Sequence, residues 1–497
     1  MLKHVNELNE KKMVWVIAIG LTIITMIPFL AGYFAAGDRV YLGVENIPDG
    51  YAYLAYVKSN LTDNILISQN FTTHETQTPT LPNMYFALVA IVTKVTGISV
   101  ELVYFILKTI LILPFVYILW LFLHEFFHTA RERVTTLVVL VLGGGVGWIL
   151  WLLSFINPWF DRFDSTGLEY GYVSNLFSSF HYPLVYGGLS FMLIGLILQR
   201  QAIRENSLQK ALLVNLAILS VYFIHPVDIL VCVITIGAMI LVYRREWFWT
   251  IIPSIAYIGI HTTLARQDIA YRAVQEVYFT WHKTVHPAFV PVVFGILFIL
   301  FVIELSKFKF PDQKKAPLVI WSVSALILAY IIPTGIKMIT IAFVPVFILG
   351  MHVFFRQSPL VKRVLMVGIL LGAPIILYNR MSDQMLDREY ITQSDQVLFE
   401  KAAHDKGIVF VSLENAGVVS MKTDLRPLYM LRYTTIDYHV KQSYSENFFN
   451  GINVKEAAMK YRPSYVLSTK KLDYSCLTEE YASQTYFYYS IRPEECV

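Results

Sequence analysis

Residues 83–97 read NMYFALVAIVTKVTG, and whether this stretch crosses a membrane decides the plan of the whole chain. It is apolar but short, and Lys94 interrupts it. A spanning helix needs roughly 20 apolar residues, and shorter stretches are more often re-entrant or interfacial. Working outward, clear spans are expected at 13–35, 101–123, 135–156, 181–199, 209–224, 227–243, 247–265, 288–305, 316–334, 336–355 and 362–378. Suppose 83–97 does not cross and the N-terminus is cytoplasmic. Every basic cluster then falls inside: Arg131 and Arg133, Arg200 and Arg204, Arg244 and Arg245, Lys307 to Lys315, and Arg356 with Lys362 and Arg363. If it crosses, all of them flip outward, against the positive-inside rule.

The sequence therefore predicts a mainly α, polytopic bundle of about eleven transmembrane helices over 1–378, followed by a small extracytoplasmic α/β domain over 379–497. The first outer loop, 36–97, would hold surface or re-entrant helices. Composition agrees. The 497 residues are 56% hydrophobic and 15% charged, with mean hydropathy +0.53, whereas soluble domains are about 25% charged. A net charge of +4 leaves no footprint for a nucleic-acid partner. Lys3, Lys11 and Lys12 precede the first apolar run, and no small-residue cleavage site ends it, so it reads as a retained span.

Polarity rises after Tyr378. Helices are expected at 395–406 and 454–461 and strands at 408–413 and 465–468, an alternation typical of a small α/β domain. Cys476 and Cys496 lie there, either bridged in an oxidising compartment or as two free thiols; Cys232 sits in an apolar run as a small buried hydrophobe.

The chemistry-bearing residues gather on the predicted outer face. The first loop carries Asp38, Glu45, Asp49, Asp63 and Glu75. Asp49 precedes YAYLAYVK, where Tyr51, Leu54, Ala55 and Lys58 share one helical face. That pattern places an acid at the start of a membrane-surface helix; a plain helix-capping acid fits the same position. His74, His181, His225, His282 and His286 share the outer side, with no HxH or HExxH spacing among these five for zinc. His225 and Asp228 mark a helix break between two spans, where polar groups line cavities. Arg266, Arg272, Lys283 and Lys337 are outer-face cations suited to a lipid phosphate or its headgroup. Glu169, in the second outer loop, could pair with Arg272 or a sugar. Gly143, Gly144, Gly145 and Gly147 lack a following Lys-Ser/Thr, so close helix packing is expected of them rather than a phosphate loop. The sequons at Asn60 and Asn70 fit an outer loop.

An odd-numbered bundle, a long acidic first loop and an outer α/β domain together resemble the GT-C class of membrane glycosyltransferases. PDGYAYLAYVKS at 48–59, FTTHETQ at 71–77, LGGGVGW at 142–148, HYPLVYGGLSF at 181–191 and IHPVD at 224–228 look like a group of prokaryotic membrane proteins with this plan. The resemblance implies a sugar transferred from a polyprenyl-phosphate donor to a glycan, lipid or protein acceptor at the extracytoplasmic face of a prokaryotic plasma membrane, with inversion. It implies Asp49 as general base; the class often has two adjacent acids, and here Pro48-Asp49-Gly50 has one, leaving Asp38 and Glu45 as alternates. Substrate contacts would come from Asp38, Glu45, His74, Glu75, Glu169, His181, His225, Asp228, Arg266, Arg272, His282 and Lys337. The lipid-linked sugar is the expected donor, and no metal or other cofactor is indicated. A transporter or lipid flippase is the alternative, disfavoured because no inverted repeat and no paired broken helices are evident; a non-catalytic assembly protein on the same plan is another.

Overall fold

The computed structural model describes residues 2–44, 47–62, 64–68, 74–75, 80–154, 156–157, 176–268, 271–273, 275–276, 284, 286–310, 312–333, 335–386, 389–430 and 435–496. Seven of the described helices are long and apolar enough to cross a bilayer: Asn9–Ala35, Val100–Leu123, Pro183–Glu205, Pro226–Tyr243, Arg245–Ala265, Gly335–Phe354 and Pro359–Gln384. The shorter apolar helices Leu208–Ile224, Ile296–Ser306 and Ala316–Ile331 lie where further spans were expected. The chain is an integral membrane protein. It divides into two compact units, Met1–Ile27 with Leu107–His261 and Phe279–Arg380, and Pro28–Ile106 with Thr262–Tyr278 and Met381–Val497.

In the first unit the helix Gly335–Phe354 is buried along nearly its whole length, packed against Ile296–Ser306 and Ala316–Ile331. Pro183–Glu205 and Leu208–Ile224 form a hairpin. Asn206 turns it in the left-handed region (φ 53), and the Ser207 side chain accepts from the Lys210 amide to cap the second helix.

The expected span 135–156 is not one helix. It stops at Leu142 and restarts at Gly147. Gly143 and Gly145 give the close packing their composition predicts, Gly143 through extended backbone, whereas a Cβ on Gly147 would meet nothing within 4 Å. The Gly144 amide donates to the Ile369 carbonyl (2.9 Å) and the Val146 amide to the Val292 carbonyl (2.9 Å). A Cβ on Gly145 would lie 2.1 Å from the Val293 oxygen. Gly295, at φ +61, abuts Gly145 and splits the expected span 288–305 into Val290–Phe294 and Ile296–Ser306. Two interrupted helices therefore meet, where the sequence showed no paired broken helices in matching halves. Hydropathy averages side chains over a window, so a Gly-Gly-Gly-Val-Gly run scores as apolar whether or not it is helical.

The buried carboxylates of Glu10 and Glu304 are both paired. The Glu10 carboxylate, 1% exposed, accepts from Arg133 (Nη2–Oε2 2.5 Å, Nε–Oε1 2.7 Å) and from the Trp120 indole (2.7 Å). Glu304 accepts from Lys315 (2.6 Å) and Arg356 (3.3 Å). The free thiol of Cys232 is buried, as read from its apolar run.

In the second unit the short strands β1 (Val40–Tyr41) and β4 (Tyr390–Ile391) pair antiparallel, as do β2 (Ile67–Ser68) and β3 (Leu81–Pro82). A five-stranded sheet has the order β6 (Leu425–Pro427), β5 (Gly407–Val411), β7 (Tyr465–Ser468), β9 (Phe487–Ile491), β8 (Leu477–Ala482). β6, β5 and β7 run parallel, β9 pairs antiparallel with β7, and β8 pairs antiparallel with β9 at the edge. The expected helix 454–461 and strand 465–468 coincide with Val454–Tyr461 and β7. The expected helix 395–406 is shorter and earlier, Gln393–Lys401, started by a Thr392–Asp395 capping box. Cys476 and Cys496 form a disulfide that ties the start of β8 to the chain after β9. It closes a 20-residue separation, and loops of that size stabilise by about 3 kcal/mol. Reduction under native conditions is expected to lower the unfolding temperature of this domain and open it to protease at β8; unchanged proteolysis after verified reduction would contradict this.

Candidate functional site

In the second unit the first-loop helix Ile47–Thr62 carries Asp49 in its first turn, half-buried. Its apolar face is buried: Tyr51 is 3% exposed, Leu54 4% and Ala55 1%. The Tyr51 ring lies over Gly417 of the helix Leu413–Lys422, where an added Cβ would fall 2.3 Å from Tyr51 Cδ2. Lys58, on the same face, bridges to Asp424 at 3.1 Å, and Lys422 bridges to Glu101 at 2.9 Å. The face that the sequence assigned to the membrane surface is thus covered by the C-terminal domain. Helical spacing reveals that a face is buried, but not by what.

The next helix, Met84–Thr96, is the stretch the topology turned on. Asn83 caps it by accepting from the Tyr85 and Phe86 amides, and Gly97 ends it at φ 70. Its 13 residues reach only about 20 Å. Tyr85, Phe86, Val89 and Ala90 face inward, while Met84, Leu88, Ile91 and Val95 make an exposed apolar stripe, the pattern suited to a membrane interface.

His74 and Glu75 lie together within this unit. Glu75 is ion-paired with the nearly buried Lys441, and His74 Nδ1 is 3.7 Å from Glu75 Oε2, its ring edge-on to Tyr461. Burial, with Lys441 and Arg426 nearby, pushes the His74 imidazole below its usual range, so it is neutral at pH 7. The sign of its pH effect follows. Unfolded, the imidazole takes a proton near pH 6.5; folded, it does so only at lower pH. Stability is therefore present above pH 6.5 and is lost as the medium is acidified below it. His74→Gln is expected to flatten the decline in melting temperature between pH 7 and pH 5 relative to the parent chain, and an identical slope would remove His74 as its source. Lys441 and Arg426 were not singled out from sequence, because they sit on polar elements far along the chain from residue 74.

Asp38 is exposed in the turn after the first helix. Arg266 and Arg272 are exposed; Arg266 Nη2 donates to Gln275 Oε1 at 3.5 Å. Glu45, Glu169, His282 and Lys283 lie outside the described residues, as does Asn70. Asn60 is 2% exposed. Its amide donates to the Ile65 carbonyl (3.1 Å) and its Oδ1 accepts from Ser68 (2.5 Å), so this sequon is sequestered rather than presented for glycosylation.

In the first unit His225 and Asp228 come together at the predicted break. His225 caps the C-terminus of Leu208–Ile224, Pro226–Asp228 forms a single 3-10 turn, and the imidazole Nδ1 lies 2.6 Å from Asp228 Oδ1. Asp228 is 1% and His225 7% exposed. A Cβ at Gly188 would meet Asp228 Oδ2 at 2.9 Å, so HYPLVYGGLSF needs its second glycine to let this pair dock. His181, buried, precedes that helix. Lys337 stands half-buried in the first turn of Gly335–Phe354, the helix that packs beside the 226–228 turn.

Among the described residues no three His, Cys, Asp or Glu side chains gather to hold a metal ion. No family model matches the sequence, and no curated protein matches it either. Solved structures do. ArnT from Cupriavidus metallidurans, bound to undecaprenyl phosphate, superposes with a TM-score of 0.53 at 9% identity, over 94% of this chain and 97% of that one. The chain has a GT-C-like fold. Apo ArnT from the same organism gives 0.52 at 9% identity, over 96% and 98%. An oligosaccharyltransferase from Archaeoglobus fulgidus gives 0.48 at 13% identity, over 92% of this chain and 68% of that one. The GT-C-like resemblance read from the sequence motifs thus extends at fold level along nearly the full length of this chain.

Proposed function

We propose that this protein is a membrane glycosyltransferase that moves a sugar from a polyprenyl-phosphate donor to a hydroxyl acceptor on the extracytoplasmic face. The observation that carries this reading is the GT-C-like fold over 94% of the chain, whose solved example holds undecaprenyl phosphate. The acceptor oxygen attacks the anomeric carbon, the bond to the polyprenyl phosphate breaks, and the phosphate leaves with the electron pair, inverting the centre. Asp49 takes the hydroxyl proton. Arg266, Arg272 and Lys337 are assigned to the lipid phosphate, and His181, His225 and Asp228 to the sugar or lipid head. His74 and Glu75 keep only a peripheral part in this scheme, since Glu75 is already matched by Lys441. With the N-terminus cytoplasmic, Asp49 and the C-terminal domain face outward, and the disulfide suits that oxidising side.

Purified protein in lipid vesicles, given labelled polyprenyl-phosphate hexose and pentose donors and membrane-extract acceptors, is expected to transfer label to the acceptor fraction. Label that stays on donor lipid throughout would reject the proposal.

The paired interrupted helices at Gly145 and Gly295 are the one feature that favours a transporter. The amides of Gly144 and Val146 at that break already donate to Ile369 and Val292, so neither is left to bind a solute.

A further inference from the structure

A cavity of about 450 Å³ opens in the first unit where the end of Val100–Leu123 and its following turn meet the ends of Pro183–Glu205 and Pro226–Tyr243. Its lining includes His124, His128, Arg200, Arg204, Tyr243 and Lys314, with Glu125 the one carboxylate. The Arg200 guanidinium is fixed by Glu125 (Nε–Oε2 3.1 Å), by the Lys314 carbonyl (3.0 Å) and by stacking over Phe126 at 4.8 Å. Lys314 Nζ donates to His128 Nε2 at 2.9 Å, using one of its three protons. The Tyr243 hydroxyl is buried with no hydrogen-bond partner among the described residues. The charged groups acting on that hydroxyl are Arg200 and the Asp312 carboxylate; with Arg204 and Lys314 in the same lining, the cavity offers a donor set that an anionic oxygen satisfies.

We propose that this cavity binds a phosphate-bearing anion, through Arg200, Arg204, Lys314 and the Tyr243 hydroxyl, with Glu125 as a built-in competitor for the two arginines. It is separate from every residue assigned to sugar transfer and does not depend on that assignment. The volume fits a phospholipid headgroup or a free phosphoanion, which share this chemistry.

Calorimetric titration of the intact protein in neutral detergent, with inorganic phosphate and with short-chain phosphatidylglycerol, tests it. Saturable binding of about one equivalent is expected from at least one probe. The double substitution Arg204→Gln, Lys314→Gln should weaken it roughly tenfold or more; Arg204 is 62% exposed, so folding tolerates the change. Glu125→Gln should tighten binding several-fold, a direction that structural damage would not produce. Binding of the lipid alone identifies a headgroup, and equal binding of inorganic phosphate identifies a soluble anion. No saturable binding of either probe, or affinity unchanged in the double variant, overturns the proposal.

Discussion

Asp49→Asn is expected to cut the rate of sugar transfer by roughly 10²–10⁴-fold while leaving the protein folded. The amide has the carboxylate's shape but no basicity, so the acceptor hydroxyl keeps its proton as it attacks. The substitution also separates the two roles open to an acid in the first turn of Ile47–Thr62. A residue that only favours the helix N-terminus through its charge is worth about 0.3–1 kcal/mol, which neutral Asn forgoes. That role predicts a slightly lower melting temperature and unchanged turnover. Transfer measured at saturating donor, alongside a melting curve, distinguishes them. Turnover retained in the variant would pass the base assignment to Asp38 or Glu45.

The largest stability effect is expected from Arg133→Ala. Glu10 is 1% exposed and receives two hydrogen bonds from this guanidinium. Removing one partner of a buried pair strands the other, at a cost of 3–5 kcal/mol; about 3 applies here, because the Trp120 indole still donates to Glu10. The double variant Glu10→Gln, Arg133→Ala should recover much of that loss, since the stranded charge is gone. A melting temperature for Arg133→Ala within a degree of the parent would show that water reaches Glu10 freely.

What the sequence made legible followed from how far each signal reaches along the chain. Most spans were readable because hydropathy is a local sum. His225 and Asp228 were readable as a pair because three positions separate them and Pro226 marks the break. β5 and β7 were readable as short apolar runs bounded by turns. β8, with Glu479 and Glu480 on an exposed edge, has no such run, and Leu413–Lys422 is too short to declare a period. The pairings of Glu75 with Lys441 and Lys58 with Asp424 join residues hundreds of positions apart, beyond any local pattern. The misassigned cover of the Asp49 helix has the same origin. Its pattern announced a buried face, and only the tertiary fold supplied Gly417 as the partner.

The interruption between Leu142 and Gly147 also constrains how the chain is made. The amides of Gly144 and Val146 find their acceptors in Ile369 and Val292 respectively, which a ribosome reaches only after most of the bundle has emerged. Until then this segment carries bare backbone donors that hydrocarbon cannot satisfy. Its entry into the membrane therefore has to be deferred, or shielded by the insertion machinery, until the later helices arrive. Nascent chains truncated before residue 292 would leave 130–154 accessible from the aqueous side, and biogenesis rather than catalysis would then be the process most sensitive to changes in these glycines.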